Sequence, residues 1–201
     1  MPLSTVLGAQ SLIKPGVCTT ATRPASPFTG QAIYDTTTAT QLIWNGTAWV
    51  ATGKIAQVII GSTSTQVTST TSSLTDTGLT ATITPTLNTS KVLVMVTQNG
   101  CSKTVTDSGN AVLMVLLRGA TAIATGHASG FFMGAQYTNT ATVLTGGTHA
   151  INWLDSPATT SATTYKTQFK PNTSPAAVSV QSNQLDTAVN MSTIILMEVL
   201  V

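Results

Sequence analysis

From residue 55 onward, apolar and polar positions arrange themselves in short runs with the spacing of strands. Leu79, Ala81 and Ile83 alternate with Thr80, Thr82 and Thr84, the two-residue period of a half-buried strand that Pro85 ends. Residues 92–96 and 112–117 are apolar at every position, which suits strands covered on both faces. Further short strands are expected at 58–60, 121–123, 131–133, 143–144, 151–154, 165–169 and 178–181, with a last one from 194 to 201. A polar Ser/Thr tract separates the first two, and no stretch requires a helix longer than a turn. About eight strands with turn signals between them predict an all-β fold, a jelly-roll-like antiparallel β-sandwich over residues 55–201. The last strand is expected to be locked into the sheet.

Residues 31–54 carry a different pattern, a small antiparallel β-meander. Asn45-Gly46 lies between Leu42-Ile43-Trp44 and Ala48-Trp49-Val50, a strong local signal for a hairpin. Residues 35–39 make a looser turn before it, and the two Trp residues are expected to form a miniature core. Residues 1–30 hold Pro2, Pro15, Pro24 and Pro27 with no sustained period. Each Pro fixes its own φ and pushes the residue before it toward extended backbone. An extended N-terminal arm is the expectation there. Leu3, Leu7, Leu12, Ile13 and Val17 are its docking residues, because apolar side chains on an arm are costly to leave in water.

Composition narrows the function classes. Lys and Arg number 8 and Asp and Glu 6 in 201 residues, so charges make up 7% of the chain with a net charge of +2. Hydrophobic residues are 42% and Thr fills about a fifth of the positions. Disorder needs low hydrophobicity and high charge, and a coiled coil needs Glu, Lys and Arg; neither composition is present. Duplex nucleic acid is not an expected partner, because so few cations form no dense stripe for phosphate. Membrane insertion is not expected either, since the longest apolar run, 111–117, falls far short of the roughly 20 residues of a spanning helix. The first ten residues lack the basic and apolar regions of a secretory signal. Cys18 and Cys101 are therefore read as two free thiols of a chain made in a reducing cytosol. The four Asn-x-Ser/Thr matches are expected by chance in so Thr-rich a sequence.

Catalysis is the reading the residues support least. His127 and His149 are the only histidines and Glu198 the only glutamate. Gly126-His-Ala-Ser-Gly130 places Ser129 three residues after the first Gly, where a nucleophile elbow needs two. Neither His has a nearby Cys, His or acidic neighbour with metal-ligand spacing, so no metal and no cofactor is expected. Asp35, Asp76, Asp107, Asp155 and Asp186 mostly sit beside turn residues, where Asp caps local backbone. Binding is expected in the loops 98–110, 126–148 and 155–164. Phe131, Phe132, Tyr137 and Trp153 lie in or beside them, and aromatic rings beside neutral hydrogen-bonding groups suit a glycan or a protein surface. The competing reading assigns these rings to the core or to a subunit contact.

Residues 11–18 (SLIKPGVC), 22–35 (TRPASPFTGQAIYD) and 42–49 (LIWNGTAW) resemble a short module of tailed-bacteriophage virion proteins. Residues 76–85 (DTGLTATITP), 90–96 (SKVLVMV) and 192–198 (STIILME) resemble a β-sandwich domain of the same class. The resemblance implies a virion structural protein, assembled in the cytoplasm of an infected bacterium, that forms a homotrimer. It implies a short tail fibre or receptor-binding protein: residues 1–30 dock on other virion proteins of the tail or baseplate, and the sandwich contacts a host surface glycan or protein. A capsid fibre or decoration protein gripping the head shell is the alternative. A long tail fibre is disfavoured, because no repetitive shaft is present. Independently of the resemblance, the apolar run 112–117 is expected to exceed what one sandwich hides, which a closed homotrimer would cover.

Overall fold

A computed structural model describes residues 16–103, 111–123, 131–132, 145–172, 175–182 and 190–201. The chain divides into two compact units at Lys54 and Ile55. Both are built from strands, and no α-helix occurs among the described residues.

The first unit is a four-stranded sheet of β1 (Gly16–Cys18), β2 (Ala32–Asp35), β3 (Thr40–Trp44) and β4 (Trp49–Ala51), in that spatial order. β2, β3 and β4 are the expected meander, with Trp44 paired to Trp49 across the Asn45-Gly46 turn. The Asn45 side-chain oxygen accepts from the N–H groups of Thr47 and Ala48, and Gly46 takes a φ of 103°, which a Cβ would disfavour. The two indoles meet edge to face at 5.6 Å, but both are only half-buried. Ile33, Leu42 and Asp35 are the buried residues among those described in this unit, and the indoles flank them.

The arm expected over residues 1–30 does not describe the second half of that span, and residues 1–15 lie outside the described residues. Gly16–Cys18 pairs in parallel with β2, and Thr20–Thr22 forms a 3-10 turn. Asp35 holds this segment down: it accepts from Thr20 Oγ1 at 2.9 Å and Arg23 Nε at 2.6 Å, and from the N–H of Thr37 at 2.8 Å. Local spacing showed only the turn cap. The bonds to Thr20 and Arg23 come from 15 and 12 residues away.

The second unit contains β5 (Ile55–Thr63), β6 (Val67–Ser69), β7 (Thr75–Ile83), β8 (Lys91–Lys103), β9 (Val112–Arg118), β10 (Thr121–Ala122), β11 (Phe131–Phe132), β12 (Thr145–Asp155), β13 (Thr163–Pro171), β14 (Val178–Val180) and β15 (Ser192–Val199). One sheet runs β5-β15-β8-β12 and the other β7-β13-β9, with β10 and β11 along the far edge of β9. That is the alternation of a jelly roll, in which successive strands cross between two antiparallel sheets. β14 continues the line of β15 along β8: β15 pairs residues 91–97 of β8, and β14 pairs Ser102 and Lys103. Between them Gly100 takes a φ of 59° and lies against the Ser182 backbone, where a side chain has no room.

The core lies between the sheets. Leu79, Ile83, Val94, Val96, Met114, Leu116, Ile151, Tyr165, Phe169, Ile194 and Leu196 all belong to one cluster of buried side chains. At one edge the sheets come close enough that a Cβ on Gly61 of β5 would meet the Thr80 carbonyl of β7. Three expectations change here. β8 runs on through Lys103, so its following loop begins later than residue 98. β12 is one strand of 11 residues with a bulge between Gly147 and His149, whereas Val143 and Leu144 lie outside the described residues. The run 112–117 is not surplus apolar surface, because Val112, Leu113, Met114, Leu116 and Leu117 are all buried by the chain itself.

Candidate interaction surfaces

The residues expected to make contacts separate into different environments. Leu3, Leu7, Leu12, Ile13 and Tyr137 lie outside the described residues. Val17 is on β1, 66% exposed, beside Tyr34 on the same face of the small sheet. Phe131 and Phe132 form β11, whose backbone pairs with Met114 and Leu113. Trp153 sits within β12, half-buried and packed against the core cluster, which agrees with the competing core reading of its ring.

Three buried polar groupings tie the sandwich together. In the first, Thr77 and Thr167 hydroxyls meet at 2.6 Å, Thr167 donates to Gln98 Oε1 at 3.0 Å, and Gln98 Nε2 donates to Ser192 Oγ at 3.0 Å. The Gln181 amide and the Asn99 N–H also reach Ser192 Oγ, at 3.1 and 2.9 Å. This chain of bonds crosses from β7 and β13 to β8 and β15 through an otherwise apolar core. It satisfies groups that would each cost about 1–3 kcal/mol if left buried and unbonded.

In the second, Asp155 at the end of β12 accepts from Arg118 at 2.8 Å and from the Tyr165 hydroxyl at 2.7 Å. Burial, and then the bond to the carboxylate, push the Tyr165 phenol far above its ordinary value. In the third, Glu198 of β15 is fully buried and accepts from Gln57 at 2.6 Å and from the Thr86 N–H and hydroxyl, both at 2.7 Å. Burial raises its carboxyl pKa, but these donors outweigh it and hold the value below the ordinary one. The only glutamate thus fastens the turn after β7 to the closing strand.

Cys101 is buried, and loss of solvent pushes its thiol up to about 12. His149 is buried, and that burial lowers its pKa. Among the described residues no group of three His, Cys, Asp or Glu side chains is placed to hold a metal ion. No helix among them is long and apolar enough to cross a membrane.

The outward faces of the two sheets are the largest contrast on the surface. On β7 and β13 the outward positions are Asp76, Thr80, Thr82, Thr164, Lys166, Gln168 and Lys170. Lys166 pairs with Asp76 at 2.8 Å, Gln168 donates to the same carboxylate at 2.8 Å, and the Thr82 and Thr164 hydroxyls meet at 2.8 Å. The Asp76 pKa is lowered by those two partners.

On the other sheet, register aligns outward residues into cross-strand rows. Val58, Met197, Leu93 and Leu154 form one row, and Ile60, Ile195, Met95 and Asn152 the next. Seven of these eight are apolar, and Ile60, Val58 and Leu154 are 66%, 54% and 51% exposed. Ser62, Thr193, Thr97 and Ala150 form a third row without charge; a fourth holds Ile55, Val199 and Lys91. The unbroken apolar run 92–96 suggests cover on both sides; only its pairing with β15 and β12, with β5 beyond β15, makes a surface of its alternate residues.

The fold and its surfaces define an all-β protein: a small four-stranded sheet unit followed by a jelly-roll sandwich. No family model matches the chain, and a search of curated proteins finds no match.

Proposed function

We propose that this chain is a structural component of a tailed-phage virion, a short trimeric tail fibre whose N-terminal segment docks on other virion proteins and whose sandwich meets the host surface. The reading is carried by one observation. A Pro-rich N-terminal segment leads into a small Trp-flanked sheet and then into a jelly roll, in a chain whose motifs resemble virion modules in both units. Jelly rolls recur in viral shells and in lectins, so the fold is compatible with either assembly or glycan contact, and function rests on the surfaces it displays. The scarcity of charge fits a chain built to associate. The interior polar groupings are fully engaged in holding strands together, which favours a structural over a catalytic role.

The decisive experiment is imaging of intact particles with the protein labelled, together with its copy number. A few trimers at the tail support the fibre reading. Scores of copies over the shell replace it with the capsid fibre or decoration reading. Absence from particles removes both. Deleting residues 1–15, which leaves β1–β4 intact, is expected to abolish incorporation while the purified protein stays folded.

A further inference from the structure

We infer that the outward face of the β5-β15-β8-β12 sheet is where a second copy of this chain seats. The inference rests on the self-association in the proposed function, not on where in a particle the protein resides. It replaces the run 112–117, which the chain buries itself, as the surface that needs a partner.

Three observations select the occupant. The first is charge. The three rows from Val58 to Ala150 contain no ionisable side chain, and Lys91 stands alone at one rim. Two such faces laid together strand no charge and repel nowhere, whereas a charged protein surface or a glycan would find Asn152 as the only amide to bond in the two apolar rows. The second is size. Four strands spaced about 4.8 Å apart and four rows spaced about 6.8 Å apart span on the order of 500 Å² of sheet. Two copies then cover about 1,000 Å², the floor for a biological interface and the size of a weak, reversible one. The third is the edge. β5 runs nine residues along the border of this face with no charged side chain and no Pro, the devices that ordinarily keep an edge strand solitary. Ile60 and Val58, its outward residues, are the two most exposed members of the apolar rows. Two copies laid face to face make an isologous two-fold contact; in a closed trimer the same faces turn to a common axis and meet heterologously.

The test uses the full purified chain in sedimentation velocity across the micromolar range, with circular dichroism and thermal melts as fold controls. Ile60→Asp and Met197→Asp place a charge in the apolar rows. Each is expected to weaken self-association at least about 30-fold, the effect of removing a well-packed contact residue. Val58→Thr and Leu154→Lys, at the two exposed margins, guard against a misfolded core strand; they are expected to weaken it less while leaving the melt unchanged. Folded variants that sediment as monomers support the inference. Variants that assemble like the wild type overturn it and leave self-association through another face standing. A monomeric wild type overturns it together with the trimer. If particle incorporation then fails in the Ile60→Asp variant, a different virion protein covers this face.

Discussion

On the outward side of β7 and β13, Thr80, Thr82 and Thr164 stand among Asp76, Lys166, Gln168 and Lys170. On the outward side of β5, β15 and β8, the equivalent positions are Val58, Ile60, Ile195, Met197, Leu93 and Met95. The two faces belong to one sandwich, share one core and have the same strand period. Hydroxyls and a salt bridge satisfy the first in water. The second gains nothing from water, and its side chains are the apolar surface that the fold leaves over. Strand propensity is therefore common to both, since Thr, Val and Ile all suit a pleated backbone. What differs is whether the outward methyl is accompanied by a hydroxyl.

The largest expected effect is on assembly. Aspartate at Ile60 or Met197 dissolves the oligomer, whereas Thr80→Asp or Thr82→Asp on the polar face leaves the sedimentation profile unchanged; equal effects from both faces would erase the contrast. Added salt sharpens it further. Raising ionic strength screens the Lys166–Asp76 pair and strengthens apolar association, so the oligomer is expected to tighten with salt.

A second contrast lies within β15, whose neighbours Met197 and Glu198 point in opposite directions. Glu198→Gln keeps the shape but removes the charge that three hydrogen-bonding groups are arranged around, and is expected to cost about 2–3 kcal/mol of stability. Met197→Asp is expected to leave the melt nearly unaltered. Calorimetry beside sedimentation separates the two. The pH dependence follows from the same residue. Its folded carboxyl holds its proton less readily than the ordinary value of 4.5, so the unfolded chain binds protons first on acidification. Glu198 thus contributes fully above 4.5, and that contribution is lost as pH falls through the folded value. The wild type is expected to lose melting temperature on this acid limb more steeply than Glu198→Gln. Asp35, also lowered, has the same sign in the small sheet unit.

A smaller effect is expected from the buried chain of hydroxyls and amides. Gln98→Leu leaves the Thr167 and Ser192 hydroxyls short of a partner, a loss of about 2 kcal/mol seen as a lower denaturant midpoint. The smallest belongs to the polar face. Lys166→Ala removes a pair whose Asp76 carboxylate is 58% exposed, and about 0.5 kcal/mol or less is expected.

Much of the sandwich was legible because its signals are local. The Leu79–Ile83 alternation, the Pro85 stop and the apolar runs at 92–96 and 112–117 all mark strands that exist. The Asn45-Gly46 turn likewise carries its own instructions. What failed depended on partners distant in sequence. Val67–Ser69 looked like part of a polar tract until β14 paired with it from over 100 residues away. Gly16–Cys18 looked like open arm until Asp35 and β2 gathered it in. Trp153 admitted both a contact and a core reading, and the pleat direction that packs its ring against the core is set by sheet stacking.

The sequence by itself determined that this is a β protein, how its strands are punctuated, and that it carries few charges. Those are properties of single residues and near neighbours: branched side chains, turn formers, ionisable groups. Only the tertiary structure decided which apolar residues are covered and which remain outside. Val92 and Leu93 are neighbours of the same character, but one is sealed between sheets and the other faces out beside Met197 and Leu154. A strand's two faces are equivalent until pairing register and sheet stacking assign one to the core, and that assignment is made by residues far away in the chain.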